Sequence, residues 1–186
     1  MYVPMPDSEI IRFIFIGRVM KLKGVDEYLE AAKVIKAKYP NTEFLIAGWI
    51  EDEKYKAIID KYVSEKIVNY IGFRKDIGDW IAKCHCTILP SHGGEGVPNV
   101  LLESAATGRI CIGSRINGTE DVIDEGVTGY LFETGNSCDL ADKIQKVIGL
   151  HQIEKNCMGL LAREKIEKEF NRNIILQKYL EEVEKL

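Results

Sequence analysis

No stretch of this sequence approaches the ~20 consecutive apolar residues that a membrane-spanning helix requires, so no span is predicted. Residues 1–11, MYVPMPDSEII, have neither a basic leading segment nor a long apolar centre, which excludes a secretory signal. The five cysteines follow no framework spacing, and an odd, scattered set points to reduced thiols and a cytoplasmic setting. Positive charge is not in excess. The 25 Lys and Arg against 29 Asp and Glu leave a net charge of −4, which argues against a general nucleic-acid or membrane-surface binder. Repeats, low-complexity tracts and Asp-x-Asp motifs are missing as well. The run Cys84-His85-Cys86 has no second cluster of ligands to complete a zinc site. It reads as two thiols flanking a buried strand, with Cys86 and Cys111 as small core residues.

What is present is alternation. Hydrophobic residues make up 46% of 186 residues and charged ones 29%, enough for one domain with a substantial core and a soluble surface. Short apolar runs at 12–17, 43–48, 68–73, 86–90, 109–113 and 129–132 read as buried strands. Helical patterns fall between and after them at 25–38, 52–63, 76–83, 98–107, 137–149, 153–169 and 171–185. Pro98 is placed to open its helix and Gly108 to close it. Alternation of this kind predicts an α/β fold: a doubly wound, Rossmann-like parallel sheet with helices on both faces. With strand order 3-2-1-4-5-6, the first and fourth strands meet at the topological switch point, where such sheets bind ligands beyond the strands' carboxyl ends.

Two loops therefore matter. Gly17-Arg18-Val19-Met20-Lys21-Leu22-Lys23-Gly24 follows the first strand and brings cations. Ser91-His92-Gly93-Gly94-Glu95-Gly96-Val97-Pro98-Asn99 follows the fourth and brings glycines and a helix N-terminus. Glycines admit close backbone approach, and a helix N-terminus offers unpaired N–H groups at a positive dipole end. An Arg fork and a Lys point charge complete a set suited to a diphosphate. Glu103 lies in a nearly apolar helix, Val100-Leu101-Leu102-Glu103-Ser104-Ala105-Ala106, where partial burial is expected. Either a ribose diol or a nearby backbone group or lysine would compensate it. Glu95, just before the helix, suits equally a capping role or a ligand contact.

Glu95 and Glu103 stand in an E-x7-E arrangement that resembles the signature of glycosyltransferase family 4. Further segments in the same order are similar to that family across residues 12–150: Gly17-Arg18-x4-Lys23-Gly24, Val68-Asn69-Tyr70-Ile71-Gly72-Phe73, Leu89-Pro90-Ser91, Ala106-Thr107-Gly108, Asn117-Gly118-Thr119-Glu120-Asp121-Val122-Ile123 and Gly126-Val127-Thr128-Gly129-Tyr130-Leu131. E-x7-E alone is weak; the ordered set is specific.

The resemblance implies the C-terminal, donor-binding half of a two-domain GT-B fold. By it, Arg18 and Lys23 would hold the donor diphosphate and stabilise the leaving nucleotide, and Glu95 would contact the transferred sugar. Glu103 would hold the ribose hydroxyls. Gly17, Gly94 and Gly96 and the backbone of Val97, Asn99 and Val100 would cradle sugar and phosphate, with Phe73 and Arg74 lining the base. The implied activity is retaining hexosyl transfer from a nucleotide-diphosphate sugar, UDP being the commonest carrier, in surface polysaccharide synthesis. Neither a metal nor another cofactor is implied. Residues 1–11 would be a linker remnant and 12–170 the donor-binding domain. The helix in 171–186 would pack toward an N-terminal acceptor domain that the chain lacks, through which alone a membrane would be met. Without that domain the chain is expected to bind nucleotide and transfer nothing. His92-Gly93-Gly94 puts three residues before Glu95 where many members have two. A GT-B-type UDP-sugar epimerase shares the phosphate crevice, but the Glu95-Gly96-Val97-Pro98 opening argues against it. A non-catalytic Rossmann-like nucleotide-binding module is disfavoured for two reasons. No G-x-G-x-x-G follows the first strand, and Ala47-Gly48-Trp49 stands where an acidic ribose ligand would end the second.

Overall fold

The computed structural model describes residues 2–94 and 96–171, with Leu180, Glu181 and Val183. The helix expected over 171–185 thus lies almost wholly outside the described residues, as does Glu95. Six strands alternate with helices: β1 (Ile11–Ile16), α1 (Val25–Lys38), β2 (Thr42–Ala47), α2 (Lys54–Ser64), β3 (Asn69–Gly72), α3 (Ile77–Lys83), β4 (Cys86–Leu89), α4 (Asn99–Ala106), β5 (Ile110–Ser114), α5 (Thr119–Val122), β6 (Gly129–Phe132), α6 (Ser137–Gly149) and α7 (Gln152–Glu169). They form one sheet in the order β3-β2-β1-β4-β5-β6, parallel throughout, with β1 and β4 adjacent. This is the doubly wound topology the alternation predicts. The single-turn helix α5 and a 3-10 turn at Lys21–Lys23 were not legible in the sequence, being too short to show a period. Pro98 stands at the N-cap position of α4, one residue before its first turn.

The inner strands read as near-continuous apolar runs because both faces are covered, whereas the edge strand β3 carries an exposed Asn69. Phe13 and Phe15 in β1, with Phe44 and Ile46 in β2, point into one cluster with Tyr28 and Ile35 of α1 and Ile144 of α6. Ile14, Leu45 and Ala47, on the alternate positions, face Cys84 and Trp80. A third cluster joins Leu101 and Ala105 of α4 to Cys111, Leu131, Ala162 and Ile166. The Phe13 and Phe44 rings stack at 5.1 Å, and the buried Tyr28 hydroxyl donates to the Leu45 carbonyl at 2.9 Å. Cys86 and Cys111 are buried core thiols, and all five cysteines are free.

At the amino ends of the strands, residues 3–6 lie against the domain. Met5 is buried, the Val3 N–H donates to the Thr107 carbonyl at 3.2 Å, and the Arg109 guanidinium donates to the carbonyls of Val3 and Pro4. Gln152 Nε2 donates to the Pro6 carbonyl at 3.1 Å. No helix among the described residues is long and apolar enough to cross a membrane.

Candidate functional site

The loops after β1 and β4 are joined along a seam. Gly24 holds φ at +70°, and a Cβ there would stand 1.8 Å from the Pro90 carbonyl oxygen, so only glycine lets the two backbones close. One step further, the His92 N–H donates to the Leu22 carbonyl at 2.9 Å. His92 Nε2 also lies 3.0 Å from Oε1 of Glu27, in the first turn of α1.

A second seam joins the loops after β1 and β2. A Cβ on Gly48 would stand 1.9 Å from the Gly17 carbonyl oxygen. Beyond it, the Val19 N–H donates to the Trp49 carbonyl at 2.9 Å, and the Glu51 N–H to the Val19 carbonyl at 3.2 Å. Between this seam and the loop after β3 opens a cavity of about 590 Å³. Gly17, Arg18, Lys23, Phe73 and Arg74 line it together, along with apolar walls from Ile16, Ala47 and Ile77 and the ring of Trp49. The cavity is therefore cationic toward the switch point, while its β3 side sets the Phe73 ring and Ile77 beside Arg74.

The other expected residues sit differently. Gly94, Gly96, Val97 and Asn99 are exposed and Val100 is half-buried on the β4 side, outside the lining of this cavity, because the cavity overlies the ends of β1–β3. They lead into the N-terminus of α4, which has no side-chain cap and no acidic residue in its first turn. Glu103 is exposed, which corrects the expectation of partial burial. Helix α4 turns Leu101, Ser104 and Ala105 inward and leaves Glu103 on the outer face that Asn99 shares at helical spacing. The Arg74 fork is engaged within its own loop, donating to both oxygens of Asp76 at 2.9 and 2.8 Å and holding that carboxyl below its usual range.

Two residues at the cavity rim, Trp49 and Glu51, escaped the sequence reading. Trp49 and Phe73 meet with ring centroids 5.6 Å apart, and Glu51 lies 3.3 Å from Arg18. The switch-point rule points to the loops after β1 and β4, whereas the cavity extends sideways to the loop after β2. The signal available was a tryptophan directly after a strand-ending glycine.

Comparison with known proteins fits this geometry. The family model for glycosyl transferases group 1 matches residues 6–158. The chain belongs to that family. Among relatives of group 1 glycosyltransferase type, it is 29% identical over 167 residues to the N,N'-diacetylbacillosaminyl-diphospho-undecaprenol alpha-1,3-N-acetylgalactosaminyltransferase of Campylobacter jejuni, covering 90% of this chain and 43% of that protein. It is 30% identical over 167 residues to the UDP-Gal:alpha-D-GlcNAc-diphosphoundecaprenol alpha-1,3-galactosyltransferase of Escherichia coli, covering 86% of this chain and 41% of that one. The chain thus spans less than half the length of either relative. Its fold matches Anabaena HepE in complex with UDP at TM-score 0.86 and 21% identity, over 96% of this chain and 50% of that chain. It also matches the C-terminal domain of the Francisella tularensis group 1 glycosyl transferase LpcC at TM-score 0.79 and 23% identity, over 91% and 89%. The chain is thus a Rossmann-like C-terminal domain of a GT-B glycosyltransferase.

Proposed function

We propose that this domain binds the nucleotide diphosphate of a donor sugar, a UDP-sugar, for a retaining hexosyltransferase of surface polysaccharide synthesis. The observation that carries the reading is the double seam. It sets Arg18 and Lys23 between an apolar, aromatic-rimmed cavity on one side and the glycine-rich loop opening α4 on the other. A base fits the first, with Phe73 and Arg74 beside it, and a diphosphate fits the cations. A sugar would lie toward Gly94, Gly96 and the backbone of Val97, Asn99 and Val100, with Glu95 on the sugar and Glu103 on the ribose. The names of the Escherichia coli relative and of the UDP-bound Anabaena structure support a uridine carrier.

The chemistry follows from the charges. Breaking the bond between sugar and diphosphate builds negative charge on the departing nucleotide. Arg18, Lys23 and N–H groups at the α4 N-terminus are fixed donors that stabilise that charge without reorganising and without a metal ion. Transfer further requires an acceptor held in attack geometry, a contribution on the order of 7–11 kcal/mol. An N-terminal acceptor domain would provide it, so the 186-residue chain by itself is expected to bind nucleotide but not to transfer sugar.

Thermal unfolding with UDP, GDP, ADP and their sugar conjugates tests this reading, since a ligand selective for the folded state raises the melting temperature. UDP and a UDP-sugar should raise it most, and Arg18→Ala should abolish most of the rise. No shift with any of the nucleotides would overturn the proposal.

A further inference from the structure

The cavity rim carries a linked set of contacts that the donor reading does not use. Backbone hydrogen bonds between Val19 and residues 49 and 51 hold the loop after β2 against the loop after β1, which brings Glu51 beside Arg18. One carboxylate oxygen of Glu51 lies 3.3 Å from Arg18 Nη1, and the other accepts from the Trp49 indole N–H at 2.8 Å. The Trp49 ring in turn meets Phe73. Trp49 is 49% exposed and Phe73 60%, so neither ring is there to fill the core. Arg18, Trp49 and Phe73 all line the same cavity.

We propose that Glu51 is a resident anion on the phosphate site. It holds Arg18 until a diphosphate displaces it, and it couples that displacement to the movement of Trp49 that admits the base. The inference rests on the donor-binding reading and adds a selectivity residue to it.

The physics favours displacement. An exposed carboxylate–guanidinium pair is weak in water. A diphosphate offers more charge and more acceptor oxygens to the same fork. Because one carboxylate holds both Arg18 and Trp49, the two ends of the ligand act on one latch. Pyrophosphate meets the counter-ion but gains nothing from the rings. A nucleoside meets the rings but cannot unseat the counter-ion. A nucleoside diphosphate does both, so the site favours the whole ligand over its parts.

The test uses Glu51→Gln, in which the side-chain carbonyl still accepts from Trp49 while the charge that holds Arg18 is gone. Calorimetry should show UDP and pyrophosphate binding about two- to five-fold tighter than in wild type at low salt, with the gain shrinking at high salt. Trp80→Phe leaves Trp49 as the remaining one of the two tryptophans. In that background UDP but not uridine should shift the emission, whereas after Glu51→Gln uridine alone should do so. Melting temperatures should be unaltered, because the side chain is exposed. If wild type binds UDP and Glu51→Gln binds it equally or more weakly, or uridine still leaves the emission unmoved, the latch is refuted. A wild-type chain that binds no nucleotide refutes the donor reading and the latch with it.

Discussion

The His92 N–H donates to the Leu22 carbonyl at 2.9 Å, a contact across 70 residues of sequence that closes the loop after β1 onto the loop after β4. Its neighbour in the seam, Gly24, decides whether the loops can meet at all. Gly24→Ala would place a methyl 1.8 Å from the Pro90 carbonyl oxygen at φ +70°. Relief requires moving the seam and accepting a strained backbone, a cost of about 2 kcal/mol or more. We expect a lower denaturant midpoint together with a loss of UDP affinity. Wild-type behaviour in both measurements would show that the seam does not build the site.

Glu103 is exposed and therefore available to a ligand. Glu103→Ala is expected to weaken UDP binding by roughly 1.5–3 kcal/mol, the size of a hydrogen bond to a charged group. Glu95→Ala should instead leave UDP binding nearly intact and reduce the advantage of a UDP-sugar over UDP. Calorimetry on both variants with both ligands checks the assignment, and the opposite pattern would exchange their roles.

Chelation is expected to leave UDP affinity unchanged. The sequence contains no Asp-x-Asp to hold a cation against the phosphates, and Arg18 and Lys23 supply the positive charge instead. Titration in EDTA, then in excess magnesium or manganese, makes the comparison. A large loss restored by metal would show that the phosphate site has been misread.

Stability should fall in acid through His85. This side chain is 1% exposed, and its Nδ1 accepts from the Arg12 N–H at 3.0 Å. Burial pulls its pKa down from 6.5 to about 4. The folded chain thus resists a proton that the unfolded chain takes up. The stability contributed by neutral His85 is complete above about pH 6.5 and is lost as pH falls toward 4, up to about 3 kcal/mol in all. Urea unfolding of wild type and His85→Gln at pH 7 and pH 4.5 should show the steeper loss in wild type. Equal losses would mean that His85 does not carry the effect.

The strand–helix alternation and the cationic and glycine-rich loops could be read from the sequence, whereas the strand order 3-2-1-4-5-6 entered there as an assumption that the sheet bears out. Period, length and punctuation are local properties: the run Phe13–Ile16 is apolar throughout because a parallel strand is covered on both faces, and Gly108 ends α4 because glycine tolerates φ +83°. The family could be read in the same way, since its motifs are short and ordered along the chain. Other features depend on pairs of residues far apart in sequence that only packing brings together. Gly24 against Pro90 and Gly48 against Gly17 set how closely the loops approach, and that approach opens the cavity toward β3 instead of along α4. Trp49 and Glu51 enter the site because the loop after β2 pairs with Val19, a contact no periodicity announces. Glu103 faces out because helix α4 is oriented by Leu101 and Ala105 against the sheet. An apolar neighbourhood in sequence is not the same as burial in space, since a helix shares its neighbours between two faces and the tertiary fold chooses which one is covered.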